Sequence, residues 1–236
     1  MKLSDESTRQ EIKYKVFFAD IPKLYNWIYK SSFFFESYKP RIVNSLYFDT
    51  PNYDFASSNM SGESRRIKLR ARWYSVLDEE FINSFLDESQ VFNFEVKRKL
   101  NSISDKLNVG KYSINDDCFI SKINSLKIKL ESICKNNPNL ASFSLLSTIF
   151  TSYKREYYEL KNNNKIRLTI DKNISYCDSK MPSNLLLMAK DYVIVELKFE
   201  PGNRKKINQL MADFPFRQVR SSKFLSTLAQ IKRVSY

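Results

Sequence analysis

This sequence predicts an α+β fold: an antiparallel sheet whose strands are charged on one face and apolar on the other, with helices packed against it. Three observations carry that expectation. Segments such as RQEIKYKV (9–16), RRIKLRARWY (65–74) and VFNFEVKRKL (91–100) alternate apolar and charged residues, and in a strand residues two apart share a face. Other segments carry apolar residues at helical spacing. The 236 residues, 42% of them hydrophobic and 14% aromatic, suffice for one sizeable core, so a single domain over 1–236 is expected.

In chain order, a strand from Arg9 to Ala19 comes first, and Pro22 introduces a helix from Ile21 to about Ser32. A second strand covers Ile42 to Phe48. The stretch DTPNYDFASS (49–58) reads as a turn entering a short helix, and Gly62 separates it from the strand at 65–74. Residues 76–90 are polar and poorly periodic, a short helix or an inserted loop, before the strand at 91–100. Between Asn115 and Ser152, Phe119, Ile123, Leu126 and Leu130, then Leu140, Phe143, Leu145 and Ile149, predict two amphipathic helices broken near Pro138. Strands follow at Thr151 to Leu160, Lys165 to Ile170 and Tyr192 to Glu200, and a last helix starts near Ser221 and runs through LSTLAQIK. No solenoid-length repeat or low-complexity linker divides the chain.

Lysine and arginine number 39 against 26 acids, a formal +13, so the expected partner is a polyanion: nucleic acid, an anionic membrane or a phosphate chain. Cys118, Cys134 and Cys177 show no C-x-x-C spacing and suit a reducing compartment, which makes a cytoplasmic location the expectation. The first residues lack an apolar leader, and no run approaches the ~20 apolar residues that span a bilayer. Histidine is absent, which excludes Ser-His-Asp and Cys-His nucleophile systems and H-E-x-x-H zinc sites. With glycine only at Gly62, Gly110 and Gly202, neither a P-loop nor a G-x-G-x-x-G turn exists, and side chains must hold any bound triphosphate.

Strand parity then assigns faces. Arg9, Glu11, Lys13 and Lys15 share one face; so do Arg66, Lys68, Arg70 and Arg72; Glu95, Lys97 and Lys99; Arg167, Thr169 and Asp171; Glu196 and Lys198. A half-buried sheet with one solvated face produces such alternation too. Four like charges on one side of a strand repel, however, and a bound polyanion removes that penalty. Carboxylates among the cations suit Mg²⁺ or Mn²⁺ shared with phosphate oxygens, while arginine grips other oxygens bidentately. For each glutamate a same-strand ion pair is an equal alternative. Together these groups meet the needs of phosphoryl transfer.

The segments RQEIKYKV (9–16), SLYFDT (45–50), RIKLRARWY (66–74), FEVKRKLN (94–101), YKREYY (153–158), IRLTID (166–171), VIVELKF (193–199) and SSKF (221–224) follow one another almost to the C-terminus. This ordered set resembles the VTC-domain polyphosphate polymerases, a branch of the CYTH-like triphosphate tunnel metalloenzymes. Arg9 stands where the thiamine-triphosphatase and adenylyl-cyclase-like branch opens its E-x-E-x-K motif with an acid, which favours the VTC branch. The resemblance implies a closed antiparallel β-barrel of about eight strands with charged residues inward and flanking helices outside. It implies ATP as phosphoryl donor and Mn²⁺ or Mg²⁺ as cofactor. Carried over by position, Arg70, Arg72, Lys97, Arg155, Arg167 and Lys223 become the catalytic phosphate ligands. Arg9, Lys13, Arg66, Lys68, Lys99, Lys198 and Ser222 become further phosphate contacts, Ser222 being equally a helix N-cap. Glu196 is the leading metal ligand, followed by Glu11, Glu95 and Asp171. The chain departs from the pattern at Lys106, which lacks the arginine that often follows, and in the length of 75–90.

The expected function is thus a bare catalytic domain that transfers the ATP γ-phosphate to a growing inorganic polyphosphate chain. A metal-dependent triphosphatase or polyphosphate hydrolase is the alternative, and a non-catalytic binder of nucleic acid or another polyanion a third. By analogy with the family, the partners are ATP and polyphosphate or triphosphate, with no nucleic acid, and a membrane protein for product export that would hold the domain at the inner membrane face. A monomer or weak oligomer is expected.

Overall fold

A computed structural model of the chain describes residues 9–31, 33–77, 79–100, 103–137, 140, 142–161, 163–180 and 190–232. The strands are β1 (Gln10–Phe17), β2 (Phe34–Asp49), β3 (Arg65–Ser75), β4 (Val91–Leu100), β5 (Ile103–Ser113), β6 (Leu146–Leu160), β7 (Asn163–Asp178) and β8 (Tyr192–Phe199). The α-helices are α1 (Ile21–Ser31), α2 (Asp54–Met60), α3 (Phe81–Leu86), α4 (Phe119–Asn136), α5 (Arg204–Leu210) and α6 (Lys223–Lys232). All eight strands join one sheet in the order β1-β8-β7-β6-β2-β3-β4-β5, every neighbouring pair antiparallel.

The apolar parity of each strand is buried under helices. On one half of the sheet, Ile12, Val16, Ile166, Leu168, Val195 and Leu197 pack with Leu24 and Ile28 of α1 and Ile207 of α5. A polar clamp seats α1 there: the Tyr25 hydroxyl donates to Glu156 at 2.5 Å, and Lys172 pairs with the same carboxylate at 2.6 Å. On the other half, Leu69, Trp73, Phe92, Phe94 and Val96 pack with Phe85 of α3 and Ile123, Leu126 and Leu130 of α4. The rings of Phe81, Phe85, Phe92 and Phe150 surround Trp73, whose indole N–H donates to Ser84 Oγ at 3.2 Å. Lys122 is buried in this core, yet its ammonium donates to the Leu86 and Asp87 carbonyls at 3.1 and 3.0 Å. It thereby satisfies carbonyls that the end of α3 leaves without helical partners.

The sheet curls until Lys97 of β4 reaches Glu11 of β1 at 2.8 Å. It does not close into the barrel that the resemblance implies. Among the described residues no ladder joins β1 to β5. The reason lies at the β1 edge, where Gln218 bridges Tyr14 and the Val219 N–H donates to the Lys13 carbonyl at 2.8 Å. The segment before α6 therefore takes hydrogen-bonding groups that a closing strand would need.

The segment 76–90, expected as a short helix or an inserted loop, contains the helix α3. The apolar residues from Leu140 to Ile149 do not make a second helix, because β6 begins at Leu146. Ile149 packs against α6 on one side of that strand, and Phe150 against the Trp73 core on the other. With both faces buried the polar half of the alternation disappears, and an apolar run remains that periodicity cannot tell from a helix. The break foreseen at Pro138 lies outside the described residues. β5 and α5 were not expected from the sequence.

Candidate functional site

The charged parity of the strands points into the space that the curled sheet encloses. Pairing across the ladders puts Lys13 beside Glu196, Glu196 beside Thr169, and Arg155 beside Asp171. It also puts Arg70 beside Glu95, with Tyr47 on its other side, and Lys68 beside Lys97. α6 enters from the end of the sheet where β2 stops. Phe224 stacks on Tyr47 at 5.0 Å between centroids, while Leu225 and Leu228 cluster with Ile149. The first residue of that helix, Lys223, thereby reaches Asp171, and its ammonium lies 4.6 Å from the Tyr153 ring centroid.

Most of the carboxylates are engaged by cations. Asp171 accepts from Arg155 Nε and Nη2 at 2.6 and 2.8 Å as well as from Lys223. Glu95 accepts from Arg70 Nε at 2.6 Å and pairs with Arg72 at 3.5 Å. Glu11 holds Lys97 and lies 4.0 Å from Lys13. Glu196 sits among cations at longer range, Lys198 at 3.4 Å and Arg155 at 3.8 Å.

Cations outnumber acids here, and ionisation equilibria respond. Burial opposes a charged Glu196, but Lys198, Lys13, Arg155 and Lys223 outweigh it and hold the carboxyl well below its ordinary value. Asp171 is brought down to about 2, Arg155 and Lys223 overcoming the cost of burial. Lys68 shows the opposite balance. Burial, then the charges of Lys13, Lys97, Arg70 and Arg66, push its ammonium down to about 7. Its Nζ donates to Ser222 Oγ at 2.7 Å.

Other polar atoms inside the enclosure are buried without a hydrogen bond from the protein. Among the described residues these include Ser45 Oγ, Thr151 Oγ1, Thr169 Oγ1 and Nε of Arg72. Ser45 faces Arg72 on one side and Thr151 on the other, so three of these atoms sit on adjoining strands. Buried polar groups as a rule find partners, and these fit a polar ligand.

The sequence-derived candidates fall into three positions. Lys13, Lys68, Arg70, Arg72, Lys97, Arg155, Lys223, Glu11, Glu95, Asp171, Glu196 and Lys198 surround the enclosure. Arg66 and Lys99 lie half-buried further along β3 and β4, and burial, then Arg66 and Lys97, push the Lys99 ammonium down. Arg167 lies toward the rim, its side chain 44% exposed and paired with Glu159 at 3.2 Å, and Arg9 is exposed just before β1. Ser222 has the N-cap geometry, its Oγ accepting from the Leu225 N–H at 3.3 Å. The side chain of Lys106 lies outside the described residues. Asp49 of SLYFDT accepts from the N–H groups of Thr50, Phe55 and Ala56 at 2.8 to 2.9 Å and so anchors α2. Sequence reasoning passed over Tyr47 and Tyr153, although parity with Ser45 and Arg155 already placed both on the charged face.

Among the described residues no three acidic, cysteine or histidine side chains converge on one point. An all-protein metal cage is therefore absent from this set. Glu196, with its looser partners, fits a hard cation whose other oxygens come from phosphates.

The VTC domain model matches residues 8–232. This chain belongs to the VTC domain family. One solved structure shares the fold of this VTC domain at low identity, and others align with it. A candidate adenylyl cyclase from Hippeastrum, described as having a dominant triphosphatase activity, aligns over 95% of this chain and 96% of its own, with 15% identity and a TM-score of 0.52. A candidate adenylate cyclase from Vibrio parahaemolyticus aligns over 90% and 94%, with 10% identity and a TM-score of 0.49. Another from Bacillus halodurans aligns over 91% and 95%, with 13% identity and a TM-score of 0.46. The comparison with curated proteins returned no match. Among the described residues no helix of this VTC domain is long and apolar enough to cross a membrane.

Proposed function

We propose that this VTC domain is a metal-dependent polyphosphate polymerase that transfers the γ-phosphate of ATP to the end of an inorganic polyphosphate chain. The observation that carries this reading is the excess of cations around Glu196, inside an enclosure that also holds buried hydrogen-bonding groups without protein partners. Arg70, Arg72, Arg155, Lys97, Lys13 and Lys223 grip the phosphates of donor and acceptor. Asp171 and Glu95 hold the guanidinium groups in place through the short bonds described above, so little reorganisation is needed at the moment of reaction. A terminal phosphate oxygen of the chain attacks the γ-phosphorus in line. The new P–O bond forms as the bond to the β-phosphate oxygen breaks, and ADP leaves. The attacking oxygen is already ionised, so a protein without histidine needs no general base. A divalent cation held by Glu196 and phosphate oxygens would neutralise charge on the departing diphosphate. By analogy with the family, a membrane-bound partner that exports the product is part of this proposal.

Purified protein with γ-labelled ATP and Mn²⁺ or Mg²⁺ should yield ADP and long labelled chains. Glu196→Ala should lower the rate by about 10²–10³, and an unchanged rate removes the metal assignment. One feature favours a triphosphatase instead: α6 packs over one end of the enclosure against Tyr47 and Ile149. A growing chain needs an exit, whereas hydrolysis of a short triphosphate needs only one mouth. Orthophosphate release without labelled chains would select that reading.

A further inference from the structure

We infer that the mouth remote from α6 binds the nucleoside of a nucleoside triphosphate, on an aromatic platform led by Tyr38. The inference rests on the proposed triphosphate site and adds to it what the donor carries beyond its phosphates. β2 pairs with β6 through Phe35↔Glu159, Tyr38↔Tyr157 and Arg41↔Arg155, with register irregularities between Glu36 and Tyr38 and between Tyr38 and Arg41. Residues three apart on a regular strand would point to opposite faces. Each irregularity absorbs one residue, so Phe35, Tyr38 and Arg41 all join the inner, charged face. They form a ramp that runs from the N-terminal part of β2 into the enclosure.

This ramp is aromatic and open. Tyr38 is 59% exposed and Phe35 45% exposed. Behind them the wall is fixed: the Arg41 guanidinium lies 4.0 Å from the Tyr74 ring centroid and 5.2 Å from that of Tyr157. Arg41 Nε also donates to the Tyr157 hydroxyl at 2.8 Å. The Tyr38 ring meets Tyr157 edge-on at 5.9 Å, which leaves a face of Tyr38 toward solvent. The platform is continuous with the phosphate grip, since Arg41 pairs in register with Arg155, and Tyr74 shares the inner face of β3 with Arg72.

A polyphosphate chain has no group that gains from such a surface. A nucleobase does, because stacking on an aromatic ring is tolerant of sequence and strong. A nucleoside triphosphate laid along the ramp puts its base on Tyr38, its sugar near Arg41 and its phosphates between Arg72 and Arg155. It enters phosphates first.

Calorimetric titration of the whole chain with Mn²⁺ present tests this, using a non-hydrolysable imido analogue of ATP and, separately, inorganic tripolyphosphate. Tyr38→Ala should weaken the ATP analogue about 10-fold while changing tripolyphosphate by less than about 2-fold. Tyr38→Phe, which keeps the ring, should bind both ligands as the wild type does, and Phe35→Ala provides a second exposed position to confirm the effect. Equal losses for both ligands, or no loss for either, overturn the platform. Failure of the wild-type protein to bind either ligand overturns the triphosphate reading instead.

Discussion

The two faces of β3 are both largely enclosed and differ in what encloses them. Leu69, Ala71 and Trp73 on one side are fully buried, and on the other Arg72 is 7% exposed and Lys68 and Arg70 are half-buried. Neither face is solvent. The apolar face is filled by side chains of α3 and α4, so its atoms satisfy one another through contact. The charged face is enclosed by the curl of the sheet and filled by ions that only partly satisfy one another. An alternating strand is usually read as core on one side and water on the other. In a sheet curled this far the polar side becomes an interior of a second kind, and its incomplete satisfaction is what the proposed phosphate site would use.

If that contrast is right, the outer face sets stability and the inner face sets affinity and rate. Trp73→Ala should cost roughly 3–5 kcal/mol in denaturant unfolding, while the protein that remains folded binds tripolyphosphate normally. Arg72→Ala should slow turnover by about 10²–10³. Its unfolding midpoint should barely move, because Glu95 keeps Arg70 at 2.5 Å. A large loss of stability in Arg72→Ala would erase the distinction between the faces.

The smallest effect concerns pH. Lys68 has a folded pKa of about 7 against an ordinary 10.5, so the unfolded chain binds more protons between those values and stability from this group rises with pH across that window. Lys68→Met should therefore raise the melting temperature more at pH 6 than at pH 10. A bound phosphate chain favours the protonated amine, so wild-type protein should take up protons on binding tripolyphosphate near pH 8. Calorimetry in buffers of different ionisation enthalpy reads that uptake, and Lys68→Met should abolish it.

Much of this was legible in the chain. The parity of Lys68, Arg70 and Arg72, of Glu95 and Lys97, and of Glu196 and Lys198 gave the charged faces, because alternation is a local property. What escaped depends on distant contacts. Parity assigns a face but not a depth, which is why Arg167 was grouped with Arg155 although it lies toward the rim. Residues Leu140 to Ile149 read as helix because α6, which begins 74 residues after Ile149, erases the polar half of the strand they enter. Closure was expected from family likeness, whereas Gln218 and Val219 occupy the β1 edge without any alternating pattern to announce it. The pairing of each carboxylate with its cation required coordinates too.

The open seam of the sheet bears on how the long product proposed above comes and goes. A polymer inside a continuous hydrogen-bonded ring is threaded like a bead on a string and leaves only by sliding off an end. Here the circuit passes through the Lys97–Glu11 contact, an attraction that dissolved salt weakens, and through the segment before α6, which is bonded to β1 at Lys13 and to Lys68 of β3 by Ser222. For the chain product proposed above, the wall at that seam is a few separate contacts rather than a continuous ladder, and it can yield without unpairing a strand.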